Sequence, residues 1–360
     1  MEKKTRNSNV EILRIIAMLA IIIHHYVCHG LMDKQCYSGN RYILNILLIG
    51  GSLGVDIFFI ISGYYMYKSK ITASKILKIE GQVLFYSMAI LIIMDIIYKN
   101  PPEAKVYLAH LFPTINNIYW FAASYIIIML FSKYINKLVE ALDKKEFKLL
   151  LFMLLINFTL PTYLGINIPV VFIEKTVALY LIGAYIRKYN INKSEERAKY
   201  RKKLLLYFAL NTAVIIISTY LYHKTNRYVL GSNTFFVQQE NPLIVLIAIY
   251  MFLLAISVPA LKSKIINTIA STTFGIYLIH EHPIMRIIIW NKVINFEQNY
   301  NELYAAIYCI GISIVIFIIC FIIDLIRIYT VEKIYMKIVK IVIEKIKNIK
   351  NRKILKIELT

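Results

Sequence analysis

The sequence has little of what a water-soluble domain of its length needs. Only 18% of its 360 residues are charged, and it contains just 12 glycines, 8 prolines and 4 cysteines. The cysteines show no Cys-x-x-Cys spacing, which leaves a zinc site unsupported, and they are too few for a small disulfide-bonded scaffold. The sequence also has no Gly/Ser- or Pro-rich linker and no internal repeat, so nothing divides it into separate soluble domains.

Apolar residues take the place of the missing polar ones. They make up 59% of the chain, against about 45–50% in typical soluble domains, and the mean hydropathy is +0.60. This content excludes intrinsic disorder. A folded soluble protein could not bury the excess, which indicates that lipid surrounds the chain.

The apolar residues are grouped into stretches long enough to cross a bilayer, which takes about 20 residues of helix. The Ile-rich, Gly-poor composition favours helices over a transmembrane β-barrel, whose strands alternate polar and apolar residues. We therefore predict an all-α, polytopic integral membrane protein, a bundle of about ten transmembrane helices. The predicted spans are 10–28, 42–66, 81–98, 118–135, 148–165, 168–187, 204–222, 242–261, 266–290 and 304–327.

Positive charge is unevenly shared between the two sides of this predicted bundle. The chain has 42 Lys and Arg against 21 Asp and Glu, a net charge of +21 that in a soluble protein would suggest nucleic acid. Here 32 of the 42 fall on the side of the N-terminus and only 7 on the other. This asymmetry predicts that both termini are cytoplasmic, and the charge requires no nucleic-acid partner.

The C-terminal segment 331–360 differs from the transmembrane domain predicted for 1–330. Isoleucines recur in it at helical spacing with lysines between them. This pattern is typical of a basic amphipathic helix on the anionic inner leaflet of a membrane. A solvated tail is an equal alternative for the last residues of the segment.

Ionisable residues inside the spans are candidates for function because a charge in hydrocarbon costs several kcal/mol. Arg14 and His25 lie on one face of a helix, since their separation is about 20° more than three full turns. His29 follows on the same face, whereas His24 is rotated by about 100°. This polar stripe favours a path through the membrane, and the alternative is a hydrogen bond that joins two helices.

A second group lies in the ninth predicted helix. His280 is at a depth similar to that of His25, and two imidazoles in one cavity could exchange protons near pH 7. The alternative is a hydrogen-bonded core histidine. Pro283 should kink or break this helix. Arg286 lies near the helix end, where its side chain can snorkel to the membrane surface.

Two acids and two lysines complete the candidates. Asp56 is the single acid of a long apolar run and should face the bundle interior. Glu174 could orient a histidine or be structural. Lys75 and Lys78 lie three residues apart after the second helix and could hold an anionic phosphate group, with ordinary cytoplasmic charge as the alternative.

Four short motifs include or lie near these residues. They are Arg14 and His25 in the first helix, Gly-Val-Asp-x-Phe-Phe-x-x-Ser-Gly at Gly54–Gly63, Tyr-Trp-Phe at 119–121, and Phe-Gly-Ile-Tyr-Leu-Ile-His at 274–280. Together they resemble the motifs of the acyltransferase-3 family, bacterial integral-membrane enzymes that modify cell-surface saccharides and related acceptors. Where family members often carry Arg-x-x-Arg, this chain has Lys75-Ile-Leu-Lys78, which keeps the charge but loses the bidentate fork for phosphate.

The resemblance implies a donor and an acceptor. The donor would be acyl-CoA reached from the cytoplasm, with acetyl as the expected acyl group and succinyl as its rival. The acceptor would be a hydroxyl of a cell-surface or exported saccharide or glycolipid. The protein would lie in the bacterial inner or plasma membrane, beside other proteins of envelope polysaccharide synthesis, and no metal is expected.

The resemblance also implies roles for the candidates. His25 would be a general base on the acceptor hydroxyl or a transient acyl carrier. The further catalytic candidates are Asp56, Glu174 and His280. The residues that would bind the phosphates of CoA are Arg14, Lys75 and Lys78.

Two other classes of protein compete with an enzyme. A secondary transporter or polysaccharide exporter would also have many helices and ionisable groups near the midplane. The sequence, however, shows no internal repeat and no paired helices broken by Gly or Pro in corresponding halves. A non-catalytic membrane scaffold would not need the stripe of Arg14 and His25.

Overall fold

The computed structural model describes residues 7–31, 39–163, 172–225, 241–294, 299 and 302–357. Every regular element within these residues is helical. The α-helices are α1 (Ser8–Leu31), α2 (Asn40–Leu47), α3 (Ile49–Met66), α4 (Ala73–Tyr98), α5 (Ala104–Leu111), α6 (Trp120–Ala141), α7 (Lys144–Tyr163), α8 (Phe172–Lys188), α9 (Arg197–Thr225), α10 (Pro242–Ser257), α11 (Lys264–Ser271), α12 (Thr273–His280), α13 (Pro283–Ile287), α14 (Ala305–Tyr329) and α15 (Val331–Ile357).

The helical class predicted from the sequence is confirmed, and many of the helices are long and apolar. The predicted spans 148–165 and 168–187 correspond to α7 and α8, but residues 164–171 lie outside the described part of the chain, as do 358–360 of the predicted tail. Six helical stretches of the described residues are long and apolar enough to cross a membrane, namely Ser8–His29, Asn40–Met66, Ala73–Tyr98, Trp120–Ala141, Ser194–Thr225 and Ala305–Tyr329.

The distribution of polar residues within α14 is the reverse of that in a soluble helix. Its isoleucines are exposed on one side, with Ile307 76% and Ile326 59% accessible. Its charged residues, Asp324 and Arg327, are buried on the other side, and their side chains pair at 2.6 Å. An apolar outer face and paired charges inside suit a helix surrounded by lipid.

Helix α3 forms the centre of the bundle, and small residues bring its neighbours close. A Cβ at Gly54 would lie 2.7 Å from the Ala17 carbonyl oxygen of α1, and a Cβ at Gly63 would collide with the Tyr180 carbonyl oxygen of α8. Glycine is therefore needed at both positions for the backbones to approach this closely. Helices α1 and α8 both run antiparallel to α3, and these close contacts fix their positions along it.

The ninth predicted span, 266–290, is not one helix. It divides into α11, α12 and α13, and a π-helical turn at Ile288–Val293 follows. The expected break at Pro283 is present, because α12 ends at His280 and Pro283 occupies the first turn of α13, where a missing N–H costs nothing. The His282 side chain accepts a hydrogen bond from the Ile284 N–H and so caps the new helix.

The C-terminal segment forms the helix α15 and packs against the start of α4. The Tyr335 hydroxyl donates to the Lys78 carbonyl oxygen at 3.2 Å, and its ring lies against Gly81. Ile334 and Ile338 of α15 remain exposed, at 64% and 57%. Its placement on a membrane leaflet stays a prediction.

Candidate functional site

The histidines of α1 point in two directions, as the helical spacing predicts. The rings of His25 and His29 are stacked, with centroids 5.4 Å apart and an interplanar angle of 28°. Both approach Glu281, at 3.2 Å and 3.4 Å from its Oε2 atom. His24 instead places Nδ1 2.7 Å from the Leu48 carbonyl oxygen.

The break between α12 and α13 brings a second histidine to the same place. The Nε2 atom of His280 lies 3.0 Å from Nδ1 of His25, although the two residues are 255 positions apart in sequence. Helix α12 ends at His280, so the next residue, Glu281, can turn toward the imidazole of His25. The structure therefore brings together His25 and His280, which the sequence placed only at similar depth.

Hydrogen bonds determine which ring nitrogens carry protons in this pair. His280 is fully buried, and its Nδ1 atom lies 2.6 Å from the Ile276 carbonyl oxygen. A carbonyl can only accept, so in the neutral ring Nδ1 carries the hydrogen and Nε2 is an acceptor. Nδ1 of His25 faces this acceptor and the Glu281 carboxylate, so it must be the donor. The lone pair of neutral His25 is consequently on Nε2.

His25, His29, His280, Glu281 and Arg286 form a histidine cluster, and Glu281 contacts three of its members. Its Oε2 atom faces His25 and His29, and its Oε1 atom accepts from Arg286 at 3.1 Å. Arg286, which the sequence analysis explains by snorkelling, also has this carboxylate as a partner, and its side chain is 43% exposed. The sequence reasoning also missed Glu281; an acid directly after His280 and two residues before Pro283 was the available signal.

Two predicted acids lie on other helices. Asp56 on α3 is fully buried, and its Oδ1 atom lies 2.7 Å from Nζ of Lys175 on α8. Its predicted direction, toward the bundle interior, agrees with this burial. Glu174, also on α8, accepts a hydrogen bond from the side-chain amide of Asn157. The catalytic roles of Asp56 and Glu174 stay predictions.

Arg14 lies near the beginning of α1, several turns from His25. Its Nη1 atom is 3.5 Å from Oε2 of Glu11, and its side chain is 29% exposed. The Nε–H group is buried and has no hydrogen-bond partner within the part of the chain that the structure describes. The binding of an anionic phosphate by Arg14 stays a prediction.

The two predicted phosphate-binding lysines have different surroundings. Lys75 is exposed, and its ammonium group donates to the Lys70 carbonyl oxygen at 3.1 Å. Lys78 forms an ion pair with Glu332 of α15, which also accepts from Arg327 at 2.8 Å. Burial acts to raise the pKa of the Glu332 carboxyl, but its hydrogen bonds with Lys78 and Arg327 outweigh burial and lower the pKa. Lys78 is thus engaged, whereas Lys75 is accessible.

The comparison with protein families adds to this geometry. A family model described as an acyltransferase domain matches residues 7–324, from the start of α1 almost to the end of α14. The chain belongs to the acyltransferase-3 family. The match includes every residue of the histidine cluster, and α15 lies beyond it.

Membership in the acyltransferase-3 family, together with the long apolar helices, establishes a multi-pass membrane protein of an acyl-transferring class. The group transferred is therefore not an aminoacyl group. No curated protein and no solved structure matches the chain.

Proposed function

We propose that this acyltransferase-3 protein moves an acyl group, with acetyl the expected one, from acyl-CoA on the cytoplasmic side to a hydroxyl of a cell-surface or exported saccharide. The observation that carries the proposal is the hydrogen bonding of His25. Nδ1 faces His280 and Glu281, so the lone pair on Nε2 is left for a substrate hydroxyl. The setting is the inner or plasma membrane of a bacterium.

The chemistry follows from this arrangement. Nε2 of His25 takes the proton of the acceptor hydroxyl while its oxygen attacks the thioester carbonyl of the donor. The resulting tetrahedral species expels the thiolate of CoA, which receives the proton back from His25. The Glu281 carboxylate, 3.2 Å from Nδ1, stabilises the imidazolium that forms between these steps.

His25 as an acyl carrier is the alternative chemical route. Nε2 would then attack the thioester itself and later pass the acyl group to the saccharide hydroxyl. Both routes need a neutral His25 with a free lone pair at Nε2. They differ in whether a covalent acyl-enzyme forms.

The acceptor side of the cluster is lined by aromatic rings. The ring of Trp290 lies 6.2 Å from that of His29 and 6.1 Å from that of Tyr26. Its Nε1–H group is buried and unpartnered among the residues the structure describes. Apolar walls with a few free polar groups are typical of small-molecule sites and suit a saccharide or glycolipid acceptor.

The function is tested by mass spectrometry of surface saccharides from cells with and without the protein. We expect acyl-modified sugars only in the cells that contain it. An unmodified polymer that fails to reach the surface would instead indicate a transporter or exporter. Purified protein should also acylate an acceptor in vitro from acetyl-CoA.

The donor proposal predicts unequal effects for the two lysines. Lys75→Met should raise KM for acyl-CoA by up to about fivefold with little change in kcat, because an exposed ion pair contributes about 0.2–1 kcal/mol. Lys78→Met should raise it less, since Glu332 already engages that ammonium group. The measurement is steady-state kinetics with varied acyl-CoA.

Lys105→Met is the matched control, because Lys105 is exposed and lies on the predicted outer side of the membrane. It should leave KM for the donor unchanged. An unchanged KM in Lys75→Met and Lys78→Met would place the donor phosphates elsewhere.

A further inference from the structure

The histidine cluster has the composition of a transition-metal site. The nitrogens of His25 and His280 and a carboxylate oxygen of Glu281 all lie within 4.8 Å of one another. From Nδ1 of His25, the distances are 3.0 Å to Nε2 of His280 and 3.2 Å to Oε2 of Glu281. Ligands of tetrahedral zinc, bound at about 2.0–2.2 Å, lie about 3.3 Å apart. The two distances from Nδ1 of His25 are already close to this spacing, and Nε2 of His280 and the Glu281 oxygen, within 4.8 Å of each other, would move closer together to share one ion.

The partners behind these atoms also suit metal binding. Nδ1–H of His280 donates to the Ile276 carbonyl oxygen, which keeps the lone pair of Nε2 directed into the cluster. Oε1 of Glu281 is held by Arg286, which leaves Oε2 for an ion. Metal-binding histidines and carboxylates usually have such outer hydrogen bonds, which orient the ligands before the metal arrives.

We propose that His25, His280 and Glu281 bind Zn²⁺ and that the bound ion inhibits acyl transfer, an inference that rests on the proposed role of His25. Two imidazoles and one carboxylate with an open fourth position form a ligand set that zinc commonly occupies. The proposed reaction itself uses no metal, so the bound ion is an inhibitor and not a cofactor.

Inhibition follows from the position of one proton. In the metal-free protein, Nδ1 of His25 carries the hydrogen and Nε2 carries the lone pair. Zinc can bind Nδ1 only through a lone pair, so the neutral ring must then carry its hydrogen on Nε2. The metal-bound His25 is still neutral, but it has no lone pair at Nε2 to accept the proton of the substrate hydroxyl.

The cluster is accessible enough for an ion to enter. The side chain of His29 is 22% exposed, and that of Arg286, on the other side of Glu281, is 43% exposed. His29 places Nε2 3.4 Å from Oε2 of Glu281 and can approach the open position. We therefore expect binding to the folded protein without prior unfolding.

The test uses the purified full-length chain in lipid nanodiscs. Co²⁺ replaces zinc as a spectroscopic probe, and its visible absorption should saturate at one ion per chain. Zn²⁺ should displace the Co²⁺ signal and lower acyl-transfer turnover over the same concentration range. His280→Gln and Glu281→Gln should each weaken metal binding by at least about tenfold.

His24→Gln is the matched control, because His24 is adjacent in sequence but bonds to the Leu48 carbonyl oxygen. It should keep both Co²⁺ binding and zinc inhibition. Size-exclusion elution identifies any variant that has misfolded. Because two ligand variants are measured, the test still gives a result if one of them misfolds. Equal Zn²⁺ affinity in His280→Gln, Glu281→Gln and the unaltered protein would overturn the proposal, as would bound zinc that leaves turnover unchanged or raises it.

The results of the metal-binding test and of the function test are independent of each other. Co²⁺ absorption reports the ligand set without any substrate, so it remains interpretable if the protein does not transfer acyl groups. In contrast, acyl transfer that persists in a His25 variant would remove the basis for inhibition even if Co²⁺ binds.

Discussion

His25→Ala should lower kcat for acyl transfer by about 10²- to 10⁴-fold, the usual contribution of a general base. The variant removes the imidazole whose Nδ1 faces both His280 and Glu281. It also leaves the other members of the cluster in place, so the substrates can still bind. The measurement is transfer of labelled acetyl from acetyl-CoA to the saccharide by protein in nanodiscs, normalised to the amount of folded protein.

His24→Ala serves as the control for a neighbouring histidine lost from the same helix. Its ring contacts Leu48 and Gly51, and it should retain most of the activity. Rapid quenching with labelled donor then separates the two chemical routes, since only an acyl carrier gives a covalently labelled His25. Full activity of His25→Ala would refute both routes.

The second large effect concerns stability. Asp56→Asn should lower the free energy of unfolding by about 3–5 kcal/mol, the usual cost of removing one partner from a buried ion pair. Asp56 is fully buried and Lys175 is 5% exposed, so the remaining ammonium group would be left with one less charged partner inside the bundle. The measurement is reversible unfolding in lipid–detergent mixtures.

A double-mutant cycle distinguishes this structural role from catalysis. Lys175→Met alone should destabilise the protein in the same way, whereas Asp56→Asn with Lys175→Met should recover most of the stability, because neither charge remains unpaired. A double variant that is stable but inactive would support the catalytic role that the sequence predicts for Asp56. Single variants as stable as the unaltered protein would contradict the importance of the pair.

Much of the first helix could be read from the sequence. The spacing of Arg14, His25 and His29 predicts one helical face, and in the structure His25 and His29 both contact Glu281 while His24 bonds elsewhere. This succeeds because the period of an α-helix is local and needs no knowledge of its neighbours. The family was recognisable for a related reason, since its motifs are short and continuous.

The partners of the charged residues could not be read in this way. Asp56 pairs with Lys175, and Arg286 pairs with Glu281, across contacts that depend on how separate helices pack. The ninth span was predicted as a single helix, which would have directed Glu281 away from His280 by about 100°. The break before Pro283 removes that constraint and lets both residues reach His25.

The sequence alone determined that the chain is a helical protein for a lipid environment, that it resembles the acyltransferase-3 family, and which histidines share a face of α1. These properties follow from composition and local periodicity. Only the tertiary structure decided that His25 meets His280 and Glu281, and thereby that its free lone pair is on Nε2. The physical reason is that a proton's position depends on hydrogen-bond partners, and here those partners come from residues more than 250 positions away.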